Sequence, residues 1–172
     1  TRLTALGQVL SQPFSGELAL PDKPIQVLIV DDESLNRRLL RRHLERAEME
    51  VIEADNGADG VAKLYIVGGD VDVIILDLLM PEMGGQEMLR WIRNTEEFSR
   101  IPVLVATNLA SMDTQEQLLE MGASDYLNKP VRPRELVCRV RNLARLRRSL
   151  DQLDDAERVI LTLARTVEAK DE

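Results

Sequence analysis

The sequence predicts an α/β protein built on one open sheet of parallel strands, and three observations carry that expectation. From Ile25 onward, short apolar runs alternate with longer amphipathic ones, the βα rhythm of a parallel sheet. The short runs are nearly continuous in Val, Ile and Leu, as strands covered on both faces must be. Several of them end in Asp, Thr or Lys, at the edge where open α/β sheets present ligand-binding side chains.

Taken in order, residues 1–24 hold Pro13, Gly16, Pro21 and Pro24 around a brief apolar pattern at Leu3, Leu6 and Leu10. They read as a leader with no more than about two helical turns. Strands are expected at 25–30, 50–54, 72–76, 101–106 and 124–128. Leu35, Leu39, Leu40, Leu44 and Ala47 mark a first helix. Val61, Ala62, Leu64 and Tyr65 mark a second, which stops before Gly68-Gly69. Met88, Leu89 and Ile92 mark a third, and Leu118, Leu119 and Met121 a fourth closed by Gly122. Pro133 suits the first turn of a fifth. Five strands and five helices match a doubly wound, flavodoxin-like (βα)5 sheet of order 2-1-3-4-5, whose switch point between strands one and three would set Asp32 against Asp77.

The fifth helix does not stop where a compact domain would let it. Leu143, Leu146, Leu150, Leu153, Glu157, Ile160, Ala164 and Val167 follow alternating spacings of three and four, a heptad seam interrupted by Glu157. No Pro or Gly falls within 134–172, so a helix of about 39 residues, roughly 58 Å long, is expected. Such a seam needs a partner, most simply the same helix of a second copy in a coiled coil. The expected organisation is a leader at 1–24, a domain at 25–145 and a helical stalk at 146–172. A start without Met and an end inside a helical pattern read as an excised fragment.

Bulk properties narrow the function. A net charge of -8 argues against general binding to nucleic acid or anionic membranes. The lone Cys138 excludes an internal disulfide and a multi-cysteine zinc site, and suits a reducing, cytoplasmic setting. No apolar run approaches the length of about 20 residues that spans a bilayer. Arg132, Arg134, Arg139, Arg141, Arg145, Arg147 and Arg148 face one acid, Glu135, yet no aromatics interleave as a nucleic-acid surface would require. Salt bridges across a dimer face are the preferred reading.

The strand ends carry the chemistry. If the runs are parallel, Asp31, Asp32, Asp77, Thr107 and Lys129 share one cleft. Clustered carboxylates favour a hard, oxygen-seeking cation such as Mg²⁺. An aspartate beside such an ion can attack a phosphoryl group to give an aspartyl phosphate, and the transferred group needs a cation and a donor on its oxygens. Lys129 and Thr107 are the right types. A lone aspartate after a strand would read as a turn or cap residue; the ordered set of five does not.

The order Asp31-Asp32, then Asp77-x-x-Met80-Pro81-x-Met83, then Thr107, then Lys129-Pro130 resembles the receiver domain of two-component response regulators over roughly residues 25–145. The resemblance implies that Asp77 is the phosphoacceptor and Asp32 a direct Mg²⁺ ligand, with Asp31 acting largely through water. The backbone carbonyl of Leu79 would be a further ligand. It also implies that Thr107 moves to bond the phosphoryl group, that Tyr126 turns inward into the space left, and that the Lys129-Pro130 bond is cis. The phosphodonor would be a sensor histidine kinase or a phosphotransfer protein. Phosphatases of the haloacid dehalogenase type carry an acid/base aspartate where Leu79 stands, so a switch is expected rather than a turnover enzyme.

Two departures are Asn108, where a small residue is usual after the Thr, and Gly84-Gly85 in place of Asp-Gly. His43 reads as a surface or half-buried histidine and Cys138 as a small apolar residue. The string from Asp155 to Asp171 resembles the opening helix of HD-GYP cyclic di-GMP phosphodiesterase domains, although the His-Asp and Gly-Tyr-Pro motifs are absent from this chain. Such an output domain is therefore expected in cis. The alternatives are a diguanylate cyclase output or a stand-alone dimerisation and scaffold element.

Overall fold

The computed structural model describes residues 23–80, 83–108 and 112–168. The leader up to residue 22, Pro81 of the aspartate motif, the Val167 side chain of the heptad seam and residues 169–172 lie outside what is described. Five strands alternate with five helices: β1 Gln26–Val30, α1 Ser34–Glu45, β2 Glu50–Ala54, α2 Gly57–Ile66, β3 Val73–Asp77, α3 Gly85–Asn94, β4 Val103–Thr107, α4 Met112–Glu120, β5 Asp125–Asn128 and α5 Pro133–Glu168. All pairings are parallel and the sheet order is β2-β1-β3-β4-β5. This is the expected doubly wound, flavodoxin-like fold with a long C-terminal helix.

Burial follows position in the sheet. Every residue of the central strands β3 and β4 is buried, whereas edge strand β2 shows its first residue to solvent and edge strand β5 its last. Alternate strand residues feed two cores, because successive side chains point to opposite faces. Leu28, Val30, Ile74, Leu76, Val103 and Val105 pack with Leu64, Met88, Leu89, Ile92 and Leu118 from α2, α3 and α4. Val27, Ile29, Val73, Ile75 and Leu104 pack with Leu40 and Leu44 of α1 and Leu136, Val140 and Ala144 of α5. Each fully buried aliphatic side chain contributes about 1.5–3 kcal/mol before entropy is counted.

Several boundaries move, each for a local reason. Strand β4 starts at Val103 instead of 101 because Pro102 lacks an N–H; its carbonyl still accepts from Ile74 at 2.9 Å. Strands β3 and β4 each run one residue further than expected, so Asp77 and Thr107 are the last residues of their strands. In α1 only Leu40 and Leu44 of the apolar stripe are buried, while Leu35 and Leu39 stay exposed. Gly68, Gly69 and Gly122, placed at helix ends by sequence, all adopt positive φ.

Three of the arginines of α5 singled out in the sequence are paired within the chain. Arg139 pairs with Asp125 of β5 and with Glu135, and Arg147 with Asp151. Arg148, 9% exposed, makes a two-pronged bond to Asp72 at 2.8 and 2.7 Å and donates to the carbonyls of Lys23 and Pro24. Glu135 and Asp151 are i,i+4 neighbours on the same helix, but Asp72 lies 76 residues from Arg148, so no local pattern in the sequence marks that pair. Helix α5 crosses residues 145 and 146 without a break. It packs on the domain through Leu136, Val140, Ala144 and Arg148, a spacing of four that occupies one face. Leu146, Leu150 and Leu153 stand on another face, 56%, 49% and 66% exposed.

One glycine sets how closely α3 approaches the end of β3. A Cβ on Gly85 would lie 2.1 Å from the carbonyl oxygen of Asp77, whereas one on Gly84 would meet nothing within 4 Å. Gly85→Ala should therefore destabilise the domain by about 1–3 kcal/mol or more through overpacking. Gly84→Ser, which places at the N-cap a hydroxyl oxygen able to accept a first-turn backbone N–H, in open space, should be neutral or slightly stabilising. Urea denaturation of the two variants checks this.

Candidate functional site

Strand register builds the site. Val30 is level with Leu76, so the next residues, Asp31 and Asp77, emerge side by side at the carboxyl edge. Asp77 is paired with Ala106 and Thr107 with Asn128, which brings the β4 hydroxyl and the residue before Lys129 to the same edge. Asp31, Asp32 and Asp77 each offer a carboxylate oxygen within 4.8 Å of the others. Asp31 and Asp77 are buried at 2% and 7% exposure, and Asp32 faces solvent.

Lys129 reaches into this cluster from the end of β5. Its Nζ lies 3.2 Å from Asp31 Oδ2 and 3.4 Å from Asp77 Oδ2, and its backbone N–H donates to the Thr107 carbonyl at 2.9 Å. The Lys129–Pro130 peptide bond is cis. Asp31 is held further by its own turn: its Oδ1 accepts from the Glu33 N–H at 2.8 Å, and its carbonyl accepts from Arg37 at 2.7 Å. Leu79 turns its side chain to solvent, while its N–H points at Asp77 Oδ1 at 3.4 Å. Thr107 is buried. Tyr126 is half-buried, and its hydroxyl donates to Gln115 of α4 at 2.7 Å.

Asp31, Asp32, Asp77 and Lys129 converge on one cleft with Thr107 at the same sheet edge, whereas Tyr126 is tied to α4. Asn108 is exposed beside Thr107. His43 lines a groove between α1 and α5 with Arg46, Arg134 and Arg141, away from the carboxylates. Cys138 is exposed on α5. Arg37 and Gln115 escaped the sequence reading, as did the packing role of Gly85. Only the Gly84-Gly85 pair carried a local signal; the other two act through contacts that sequence spacing does not reveal.

Charge balance in the cleft is incomplete, with three carboxylates against one ammonium. Burial pushes the Asp77 carboxyl above the usual range; Lys129 pulls it back, Asp31 pushes it further up, and the net shift is upward. Burial alone would lower Lys129, but Asp31 and Asp77 outweigh it and hold the ammonium above its ordinary value. A hard divalent cation suits the residual negative charge and the all-oxygen donor set.

Comparison with known proteins agrees with this geometry. The family model for the response regulator receiver domain matches residues 27–141. The transcriptional regulatory protein ResD of Bacillus subtilis is 41% identical over 120 residues, covering 70% of this chain and 48% of that protein. The cyclic di-GMP phosphodiesterase response regulator RpfG of Xanthomonas campestris pv. campestris is 32% identical over 169 residues, covering 87% of this chain and 45% of RpfG. The crystal structure of a putative response regulator from Chloroflexus aurantiacus superposes with a TM-score of 0.67 at 33% identity, covering 71% of this chain and 98% of that one. The chain spans no more than about half the length of these two curated relatives.

The Asp77 shift has a stability consequence. A carboxyl whose pKa rises on folding favours the folded state below its unfolded value of 3.8 and loses that contribution as pH rises through the folded value. Ionised Asp77 therefore weakens the fold at neutral pH. Asp77→Asn should raise the urea midpoint at about pH 7 in metal-free buffer, with the gain shrinking as pH falls towards 4. An equal gain at both pH values would contradict the assigned cause.

Proposed function

We infer the function from a family membership: this chain belongs to the response regulator receiver domains, the signalling switches of two-component systems. On that premise Asp77 is the phosphoacceptor, and the observation that carries the reading is its buried carboxylate, 3.4 Å from Lys129 in a cluster with Asp31 and Asp32. A carboxylate oxygen of Asp77 attacks the phosphorus of a phosphohistidine on a sensor kinase or phosphotransfer protein. The new P–O bond forms as the donor's P–N bond breaks, and the imidazole leaves with a proton. Lys129 takes up charge on the phosphoryl oxygens, and the Thr107 hydroxyl donates to one of them.

Asp32, Asp31, Asp77 and the carbonyl of Leu79 are the groups that would hold Mg²⁺. Bound there, the ion would neutralise the attacking and transferred oxygens. The phosphoryl group adds about -1.5 to -2 charges to the cleft. Thr107 moves towards it, and Tyr126 turns inward, giving up its bond to Gln115. Loss of that bond frees α4, which makes the site a switch with two arrangements.

The stalk transmits the state. Residues 25–145 act as the receiver and 146–172 as a stalk, whose helix pairs with a second copy through Leu146, Leu150, Leu153 and Ile160. The exposure of these residues and their heptad spacing support this reading. The output in cis is a cyclic di-GMP phosphodiesterase domain. Supporting this, the match to RpfG covers more of this chain than the match to ResD does. A receiver of this kind works in the cytoplasm, and no described helix is long and apolar enough to cross a membrane.

Intact mass after incubation with acetyl phosphate and Mg²⁺ tests the chemistry. One phosphoryl group should add to the wild type and none to Asp77→Asn; an adduct that persists in that variant would place the acceptor elsewhere. Asp32→Asn should lower the yield, and Lys129→Ala should uncouple phosphorylation from the stalk more than it impairs folding. For the dimer, Leu146→Glu with Leu153→Glu should sediment as a monomer. A dimer unchanged by that pair would put the interface on another surface.

A further inference from the structure

Residues 155–166 of α5 are all exposed, and four large apolar side chains stand there: Val159, Ile160, Leu161 and Leu163, each at least 53% exposed. At about 100° per residue these four spread over roughly 200° of the helix circumference. A two-stranded coil covers a much narrower a/d stripe. The seam that runs through Leu146, Leu150, Leu153 and Ile160 therefore leaves Val159 and Leu163 on a flank of their own.

That flank can be followed back to the domain. Arg148, Gln152, Asp155, Val159 and Leu163 succeed one another at spacings of four, three, four and four, which keeps them on one side of the helix. At its near end Arg148 donates to the carbonyls of Lys23 and Pro24, both at 3.0 Å. Lys23 also shares a groove of about 230 Å³ with Arg148, Gln152 and Asp155. Lys23 thus stands at the near end of the flank that carries Val159 and Leu163.

We propose that the leader, residues 1–12, lies along this flank of α5 and covers Val159 and Leu163 with Leu3, Leu6 and Leu10. The three leucines recur at helical spacing, and residues 1–20 carry only Arg2 and Glu17 as charges. The reach is sufficient: Leu163 lies about 22 Å beyond Arg148 along the helix, and the ten residues from Pro13 to Asp22 can span up to about 33 Å. Tethering favours this occupant over a second copy, because the segment is held beside the flank at high effective concentration. The stalk of each protomer then carries its own covering segment, with the heptad seam left open on another side. Neither phosphorylation nor the stalk dimer is required for this contact.

Hydrogen exchange of the full chain, read at amides 156–166, tests the proposal. Deleting residues 2–12, or making Leu6→Glu with Leu10→Glu, should speed exchange in 156–166 at least about tenfold while strands β1, β3 and β4 stay protected. Equal exchange in wild type and variants would overturn it. So would protection that depends on protein concentration instead of on the leader, which would make a second copy the occupant. In a Cys138→Ser background, Leu6→Cys with Leu163→Cys should form a disulfide within one chain. Disulfides formed only between chains would also overturn it.

Discussion

The ammonium of Lys129, set between Asp31 and Asp77, is the interaction on which the rest of this structure depends. Two carboxylates at 2% and 7% exposure at the end of an apolar sheet are costly to bury together without a cation beside them. The compensation is partial. One ammonium faces three carboxylates, and burial still holds Asp77 above its ordinary pKa. A site left short of positive charge in this way favours a hard cation on its carboxylate oxygens.

The parallel sheet makes that placement accurate. Strands β3 and β4 are buried on both faces, so a register shift of one residue would send each Val, Ile and Leu into the opposite core and mismatch both, as well as displace Asp77 or Thr107. Core packing and site geometry are thus enforced by the same pairings. Gly85 adds a local requirement, since only a residue without Cβ lets α3 begin so close to the Asp77 carbonyl.

The opposite edge of the sheet anchors the C-terminal helix. Arg148 gathers Asp72 and the carbonyls of Lys23 and Pro24, fixing α5 to β1 and β3 just before the helix leaves the domain. Arg93 performs a similar task on the other face, donating to the carbonyls of Gly122, Ser99 and Ile101. Burial lowers its pKa, and the three carbonyls offset part of the lost hydration. These two arginines tie loops that carry little regular structure to helices that do.

How much of this was legible in the chain differs from residue to residue. The apolar runs, their flanking glycines and the residues Asp31, Asp77, Thr107 and Lys129 are local signals, because strand periodicity and strand-end chemistry are written within a few positions of one another. Sheet order and the convergence of those four residues followed from such signals alone. The partners of Arg139 and Arg148 did not, since Asp125 and Asp72 lie 14 and 76 residues away and no local pattern links them. The exposure of Leu35 and Leu39, and the hold of Gln115 on Tyr126, were equally hidden: amphipathic spacing marks a helix but does not say which part of its stripe meets the sheet. Sequence by itself determined the elements, their order and the chemistry at their ends. Tertiary structure decided which charges are paired and which apolar faces stay bare, because both depend on distances between segments that only folding brings together.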